Sequence, residues 1–255
     1  MEECGDGIHP QRSLRESSGM SLLVDRVVAE YYGTNCWIIA PGPHSECIIV
    51  DPGIAIPSLN PAINEVIHRH SLKIGAVLIT HGHLDHTFSL ISRIHDFVGI
   101  DCFVHELDRD LLTYPERAMG PQSQALVHEL KSAAVVTAEF SEPHMTYELQ
   151  DRQILNLGEM RAEIHHAPGH TPGSIVVTIN GEVAITGDVL FKGSIGRTDL
   201  PRGSLSDMER SLREKIATLA EELEVLPGHG ERTTIREELR SNSFLKAALQ
   251  GKLEG

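Results

Sequence analysis

The chain has 255 residues, of which 36 are acidic and 22 basic, so its formal net charge is −14. At roughly 150 residues per domain, this length fits one large domain or two small ones. Hydrophobic residues make up 40%, which is typical of a globular protein and excludes a disordered chain. The acidic balance argues against binding to nucleic acid or to anionic membranes, because phosphate contacts require clustered Lys and Arg. Fifteen His are an unusual surplus that suggests a metal site.

The cysteines and the N-terminal residues indicate which cellular location is expected. The four cysteines form no CxxC pair, so a disulfide scaffold or a Cys-rich zinc module is not expected. Residues 1–20 carry neither an apolar segment nor a basic amphipathic pattern, which argues against a signal or transit peptide. We expect a flexible tail over 1–20, a single domain over 21–255 and a soluble cytoplasmic protein.

Strands dominate the first half of the pattern. β-rich runs bounded by Gly and Pro predict strands over residues 22–28, 34–40, 47–50, 73–80 and 101–105. The first three are closely spaced, as in an antiparallel meander. Apolar residues at helical spacing predict helices over 60–70 and 84–98. Residues 113–145 are the least regular segment, and a lid or an irregular insertion is expected there.

The second half of the chain also contains both predicted strands and predicted helices. Strands are predicted over residues 146–149, 161–166, 174–179, 182–186 and 224–226. An amphipathic pattern predicts one long helix over 204–219, and terminal helices follow the last strand. Strands with a few helices in each half predict an α/β protein in which two mixed β-sheets pack together with helices outside, a four-layer αββα sandwich.

The hexapeptide His-Gly-His-Leu-Asp-His at residues 81–86 follows a predicted strand directly. In an extended segment, residues i and i+2 point to the same side, so His81 and His83 converge on one point. Helical periodicity begins at Leu84, so Asp85 and His86 point in a different direction. This division suits two metal ions ~3.5–4 Å apart. The alternative is a solvated His-rich turn.

Three other strand ends each deliver one side chain of a type that binds metals. His170 lies in a Pro- and Gly-rich turn, Asp188 ends the strand over 182–186, and His229 follows the strand over 224–226. Taken alone, the histidines fit surface positions and the aspartate fits a turn. With the hexapeptide they supply five His and two Asp, enough to hold two ions and leave room for water.

In their order and spacing, these seven residues resemble the metallo-β-lactamase superfamily. The segments at 169–174, 187–193, 196–199 and 227–230 resemble its glyoxalase II (hydroxyacylglutathione hydrolase) branch. The likeness covers roughly residues 22–235. It implies an αββα sandwich with the metals at one edge, between the two sheets.

The resemblance also implies a role for each residue. His81, His83 and His170 would bind the first metal, Asp85, His86 and His229 the second, and Asp188 would bridge both. The ions would be divalent, with zinc the first expectation and iron or manganese the alternatives. Asp85 and Asp188 would be the catalytic residues, acting with a metal-bridging hydroxide. Arg197 would bind substrate, and Asp51 would either support the metal loop or be a simple turn residue.

The expected activity is hydrolysis of a small thioester such as S-lactoylglutathione. Two departures bear on the thiol. Only 26 residues follow His229, whereas the branch carries a helical C-terminal domain, and Glu231 stands where a Tyr that holds glutathione is expected. The alternatives are an iron-dependent persulfide dioxygenase, a lactonase or phosphodiesterase of the same superfamily, and a non-enzymatic metal-binding module.

Overall fold

The structure is a computed structural model that describes residues 21–92, 94–120, 125, 127, 129 and 140–254. The predicted tail over 1–20 lies outside the described residues, as does much of the insertion expected at 113–145. The single domain over 21–255 stays a prediction. No helix in the described part of the chain is long and apolar enough to span a membrane.

The first sheet has six strands in sequence order, from β1 at one edge to β6 at the other. They are β1 (Leu23–Val28), β2 (Asn35–Ala40), β3 (Glu46–Val50), β4 (Lys73–Leu78), β5 (Asp101–His105) and β6 (Thr146–Leu149). The strands β1, β2 and β3 pair antiparallel, which confirms the predicted meander. From β3 to β6 the pairing is parallel, so the sheet is mixed.

The second sheet also has six strands, in the order β12-β11-β10-β9-β8-β7. They are β7 (Ile154–Leu157), β8 (Met160–His166), β9 (Ile175–Ile179), β10 (Val183–Gly187), β11 (Glu224–Pro227) and β12 (Thr233–Thr234). Only β10 and β11 pair in parallel, and the other neighbours are antiparallel. Both sheets are therefore mixed, as predicted.

Five α-helices with fully described bounds lie on the outer faces of the sheets. They are α1 (Asn60–His70), α2 (Leu84–Ile91), α3 (Leu205–Glu214), α4 (Ile235–Ser241) and α5 (Ser243–Leu249). The apolar faces of α1 and α2 share one core with the first sheet, and those of α3 to α5 share another with the second sheet. A third core lies between the sheets. The predicted four-layer sandwich is confirmed.

Strand β2 illustrates how the sequence builds these layers. Cys36 and Ile38 point to the core beneath α1 and α2, whereas Trp37 and Ile39 point to the core between the sheets. All six residues of the strand are buried. Because both faces are covered, the strand is apolar from Cys36 to Ala40 instead of alternating with polar residues.

Several predicted elements differ in length from the structure. The helix expected over 84–98 ends at Ile91, where the Ser92 hydroxyl bonds the Phe88 carbonyl at 2.5 Å, and a 3-10 turn follows at Ile94–Phe97. The helix expected over 204–219 ends at Glu214 and continues as a 3-10 turn, Ile216–Thr218. Sequence reasoning missed β7 and β12 because both are short edge strands without a sustained apolar alternation.

Candidate metal centre

The seven side chains singled out in the sequence lie together at one edge of the sandwich. The hexapeptide follows β4, Asp188 follows β10 and His229 follows β11, all at carboxyl ends of strands. The turn that carries His170 connects β8 to β9. Strands of both sheets end at this edge, so side chains far apart in the sequence meet there.

His81, His83 and His170 form the first group. All three are buried, and one nitrogen from each lies within 4.8 Å of the others. His83 Nδ1 lies 2.8 Å from His170 Nε2. His81 Nε2 is buried and has no hydrogen-bond partner among the described residues. This group therefore points several ring nitrogens at one small volume.

Asp85, His86 and His229 form the second group, again with one ligand-type atom from each within 4.8 Å of the others. His86 Nε2 lies 3.2 Å from His229 Nε2. An Asp85 oxygen lies 3.5 Å from His229 Nε2. Asp188 stands between the two groups. Its Oδ1 lies 3.4 Å from His86 Nε2, and its Oδ2 lies 3.5 Å from His170 Nε2. We call these seven side chains the floor of the site.

The outward-facing nitrogens of the histidines are held by the scaffold. His170 Nδ1 donates to the Arg197 carbonyl at 2.7 Å, and His229 Nδ1 donates to the Tyr32 carbonyl at 3.1 Å. With Nδ1 protonated, the neutral imidazole keeps a lone pair on Nε2, the atom that faces the cluster. Such bonds set the tautomer and the ring orientation of histidines that bind metals.

Asp51 supports two floor histidines and is itself almost fully buried. One oxygen accepts the Thr80 N–H at 2.8 Å, and the other accepts the Thr80 hydroxyl at 2.6 Å and His86 Nδ1 at 2.9 Å. Since the Thr80 hydrogen is used on Asp51, His81 Nδ1 must donate to the Thr80 oxygen, 3.1 Å away. Asp51 therefore orients the loop that carries His81 and His86, and it is more than a turn residue.

Asp108 also ties two parts of the floor together, and sequence reasoning missed it. Its buried carboxylate accepts the N–H of Gly82 at 2.8 Å, the hydroxyl of Thr171 at 2.6 Å and the N–H of Gly173 at 2.9 Å. It thereby joins the hexapeptide to the His170 turn. No sequence signal identifies it, because its partners are 26 to 65 residues away.

Asn35 plays a comparable part at His229 and was also missed. Its Nδ2 donates to the carbonyls of Pro227 and Gly230, both at 3.0 Å, and Trp37 Nε1 donates to the same Pro227 carbonyl. The two carbonyls flank His229, so side chains of the first sheet hold a turn of the second.

Gly228 makes close packing of the floor sterically feasible. A Cβ at this position would lie 2.2 Å from Asp188 Oδ1 and 2.7 Å from His86 Cε1. Real Cβ atoms do not approach so closely, and any larger residue would push Asp188 away from the two groups.

The electrostatics differ between the two groups. Burial and the nearby His170 lower the pKa of His83 to about 3, and burial also lowers the pKa of His81. Around Asp188 the attraction of opposite charges outweighs burial. It raises the pKa of His229 to about 9 and lowers the pKa of Asp85 to about 2. His81 and His83 are thus neutral at pH 7, while Asp85 and Asp188 are ionised.

These donors fit divalent cations. Neutral imidazole nitrogens and ionised carboxylates suit zinc, iron and manganese alike. The unpartnered buried atoms, which include His81 Nε2 and Asp188 Oδ1, face the cluster and would gain a partner from a cation. In the second group a cation would take the place of the protons that otherwise balance the carboxylates. The two groups with Asp188 between them suit a dinuclear site.

A cavity of about 290 Å³ opens above the floor. His83, Asp85, His170, Asp188 and His229 are among its lining residues. Arg197, predicted to bind substrate, also lines it, but its guanidinium is already paired with Asp199. The three described cysteines are free and buried away from it, and burial raises the pKa of Cys47 and of Cys102 to about 12.

Comparison with known proteins identifies the family of the chain. Residues 30–229 match the family described as the metallo-beta-lactamase superfamily. An uncharacterized protein of Mycobacterium tuberculosis is 37% identical over 88% of this chain and 98% of its own length. The hydroxyacylglutathione hydrolase GloC of Haemophilus influenzae is 36% identical over 84% of this chain and 93% of its own.

A solved structure gives the same result for the fold. The crystal structure of BLEG-1 B3 metallo-beta-lactamase superposes with a TM-score of 0.72 and 30% identity. The match covers 88% of this chain and 99% of that protein. The chain belongs to the metallo-beta-lactamase superfamily, a family of metal-dependent hydrolases. Within it, the chain is similar to a glyoxalase II-type enzyme, as the sequence motifs predicted.

Proposed function

We propose that the protein hydrolyses a small thioester with two divalent ions, zinc first among them. The observation that carries the proposal is the floor: two groups of ligand-type atoms, with Asp188 between them, at the bottom of an open cavity. The 36% identity to a hydroxyacylglutathione hydrolase supports thioester chemistry, and S-lactoylglutathione is the natural first substrate to test.

The seven floor side chains would bind the two ions in this proposal. His81, His83 and His170 would hold one ion, and Asp85, His86 and His229 the other, with Asp188 contacting both. When bound, such a pair lowers the pKa of water and polarises a carbonyl, as hydrolysis requires.

The protein residues organise the reaction around the ions. Asp85 and Asp188 face the cavity as carboxylates, and they orient a water molecule by accepting its hydrogens. No cysteine, serine or threonine is among the described residues that line the cavity, which supports water as the attacking group. The apolar cavity walls limit access of further water to the reacting carbonyl.

The decisive experiment combines metal quantification with an assay on S-lactoylglutathione. We expect two divalent ions per chain and release of the free thiol. A chelator should abolish the activity, and adding back the divalent metal should restore it. The proposal fails if the protein holds a single iron and consumes oxygen on glutathione persulfide. It also fails if a lactone or a phosphodiester is cleaved and no thioester is.

A further inference from the structure

The cavity changes character above the floor. Among the described residues, its remaining lining is almost entirely apolar and includes two aromatic side chains. These walls consist of Tyr32, Ile54, Leu84, Ala118, Met119, Phe191 and Leu200, together with Gly196 and Arg197. A tripeptide thiol with several charged groups would find few polar partners on such walls, whereas an apolar thiol would bury its surface against them.

Arg197 is the one Lys or Arg among the described residues that line the cavity. Its Nε and one terminal nitrogen bond the two oxygens of Asp199, both at 2.7 Å. This is the bidentate arrangement in which a guanidinium binds a substrate carboxylate. An anionic substrate would therefore have to displace Asp199 and then remain beside the charge that it displaced.

Other cations close in sequence to the lining residues also bond carboxylates. Within two residues of a cavity-lining position, the described chain has three further Lys or Arg, namely Arg117, Lys192 and Arg202. Lys192 bonds Glu231 at 2.6 Å, and both arginines bond Asp110, at 3.0 and 2.9 Å. We call these four cations and their carboxylates the mouth. Exposed pairs add little stability, but the three carboxylates offset most of the positive charge of the four cations.

We propose that this pocket selects thioesters whose thiol portion is apolar and uncharged, and that Asp199 is a specificity-determining residue which withholds Arg197 from anionic substrates. The inference rests on the proposed thioester hydrolysis for the identity of the reacting group. The preference for an apolar, uncharged thiol portion is inferred from the walls and the mouth. Glu231 extends the same pattern by neutralising Lys192.

The test uses two thiols of equal shape that differ in charge, 3-mercaptopropionamide and 3-mercaptopropionate. Their S-lactoyl thioesters report kcat/KM, and their unreactive S-benzyl thioethers report the Kd by calorimetry on the metal-loaded protein. We expect the amide to be favoured at least tenfold over the carboxylate in both measurements.

The variant Asp199→Asn should reduce this preference to threefold or less, because it frees Arg197 for the carboxylate. Asp199 is 70% exposed at its side chain, so the variant should fold normally. Asp207→Asn, which removes a carboxylate paired with Arg210 on α3, is the matched control and should keep the tenfold preference.

The inference is wrong if the wild type binds the carboxylate as tightly as the amide, or if Asp199→Asn leaves the ratio unchanged. These outcomes are distinct from failure of the proposed function. If the proposed function is wrong, neither thioester would be hydrolysed. The thioethers would still bind with the tenfold preference for the amide.

Discussion

The floor and the mouth of the cavity are built on opposite principles. At the floor, buried side chains are oriented by hydrogen bonds to the scaffold, such as those from His86 to Asp51 and from His170 to the Arg197 carbonyl. At the mouth, exposed side chains such as Arg197 and Asp199 bond mainly to one another. The difference separates the two proposals: the floor would determine which reaction is catalysed, and the mouth would determine which substrate enters.

The energetics follow the same division. A buried group that loses its partner costs about 1–3 kcal/mol or more, since it was removed from water to make that bond. An exposed ion pair contributes ~0–1 kcal/mol. Substitutions at the floor should therefore affect the reaction strongly, and substitutions at the mouth should change selectivity while leaving stability almost untouched.

The largest effect is expected at the centre of the floor. Asp188→Ala removes the carboxylate that stands between the two groups, and His83→Ala removes a nitrogen from the first group. Each should lower kcat/KM at least about a thousandfold and reduce the metal content measured by elemental analysis. His68→Ala, at an exposed position on α1, is the control and should retain both. Equal losses in all three variants would mean that the site lies elsewhere.

An intermediate effect is expected one layer behind the floor. Asp51→Asn keeps the size of the side chain but replaces an acceptor of the Thr80 and His86 hydrogen bonds with an amide. Loss of such a supporting carboxylate typically weakens metal binding about 10–100-fold, measurable by competition with a chromogenic chelator. Asp25→Asn serves as the control, because Asp25 bonds Arg69 and His70 instead. Unchanged metal affinity in Asp51→Asn would show that the floor histidines do not need Asp51 for their orientation.

The smallest effect concerns stability. His105 is buried, and its ring stacks on that of His166 with centroids 4.0 Å apart. Burial, followed by the neighbouring His166, lowers its pKa to about 4. The unfolded chain therefore binds this proton more readily, and the stability that His105 contributes is complete above pH 6.5 and is lost as the pH falls towards 4.

Thermal melts of the wild type and of His105→Gln test whether the stability contributed by His105 falls as the pH falls. The wild-type advantage at pH 7.5 should shrink at pH 4.5 by on the order of 2 kcal/mol. His68→Gln, which alters an exposed histidine, should parallel the wild type at both pH values. An advantage that stays constant with pH would mean that His105 titrates normally in the folded protein.

Much of the fold could be predicted from local pattern alone. The strands of β2 and β3 are apolar runs bounded by turns, and the structure reproduces them within one residue. The hexapeptide is also local, because the convergence of His81 and His83 follows from the geometry of two residues in one extended segment. That the seven side chains lie together agrees with the sequence analysis, whereas their binding of metal stays a prediction.

What could not be predicted depends on contacts between distant segments. Asp108 and Asn35 are unremarkable in the sequence, and they become supporting residues only after loops far apart in the chain have met. Helix ends were missed for a related reason. At Ser92 a side chain bonds a carbonyl of the preceding turn, a choice that the hydrophobic pattern of α2 does not reveal.

The bonds from Asn35 to the carbonyls on either side of His229 also bear on how the protein matures. Asn35 and Pro227 are separated by 192 positions, so the turn that carries His229 gains this support only after both segments have been synthesised and have met. The proposed ions would therefore bind to a complete ligand set only after the two sheets have packed together.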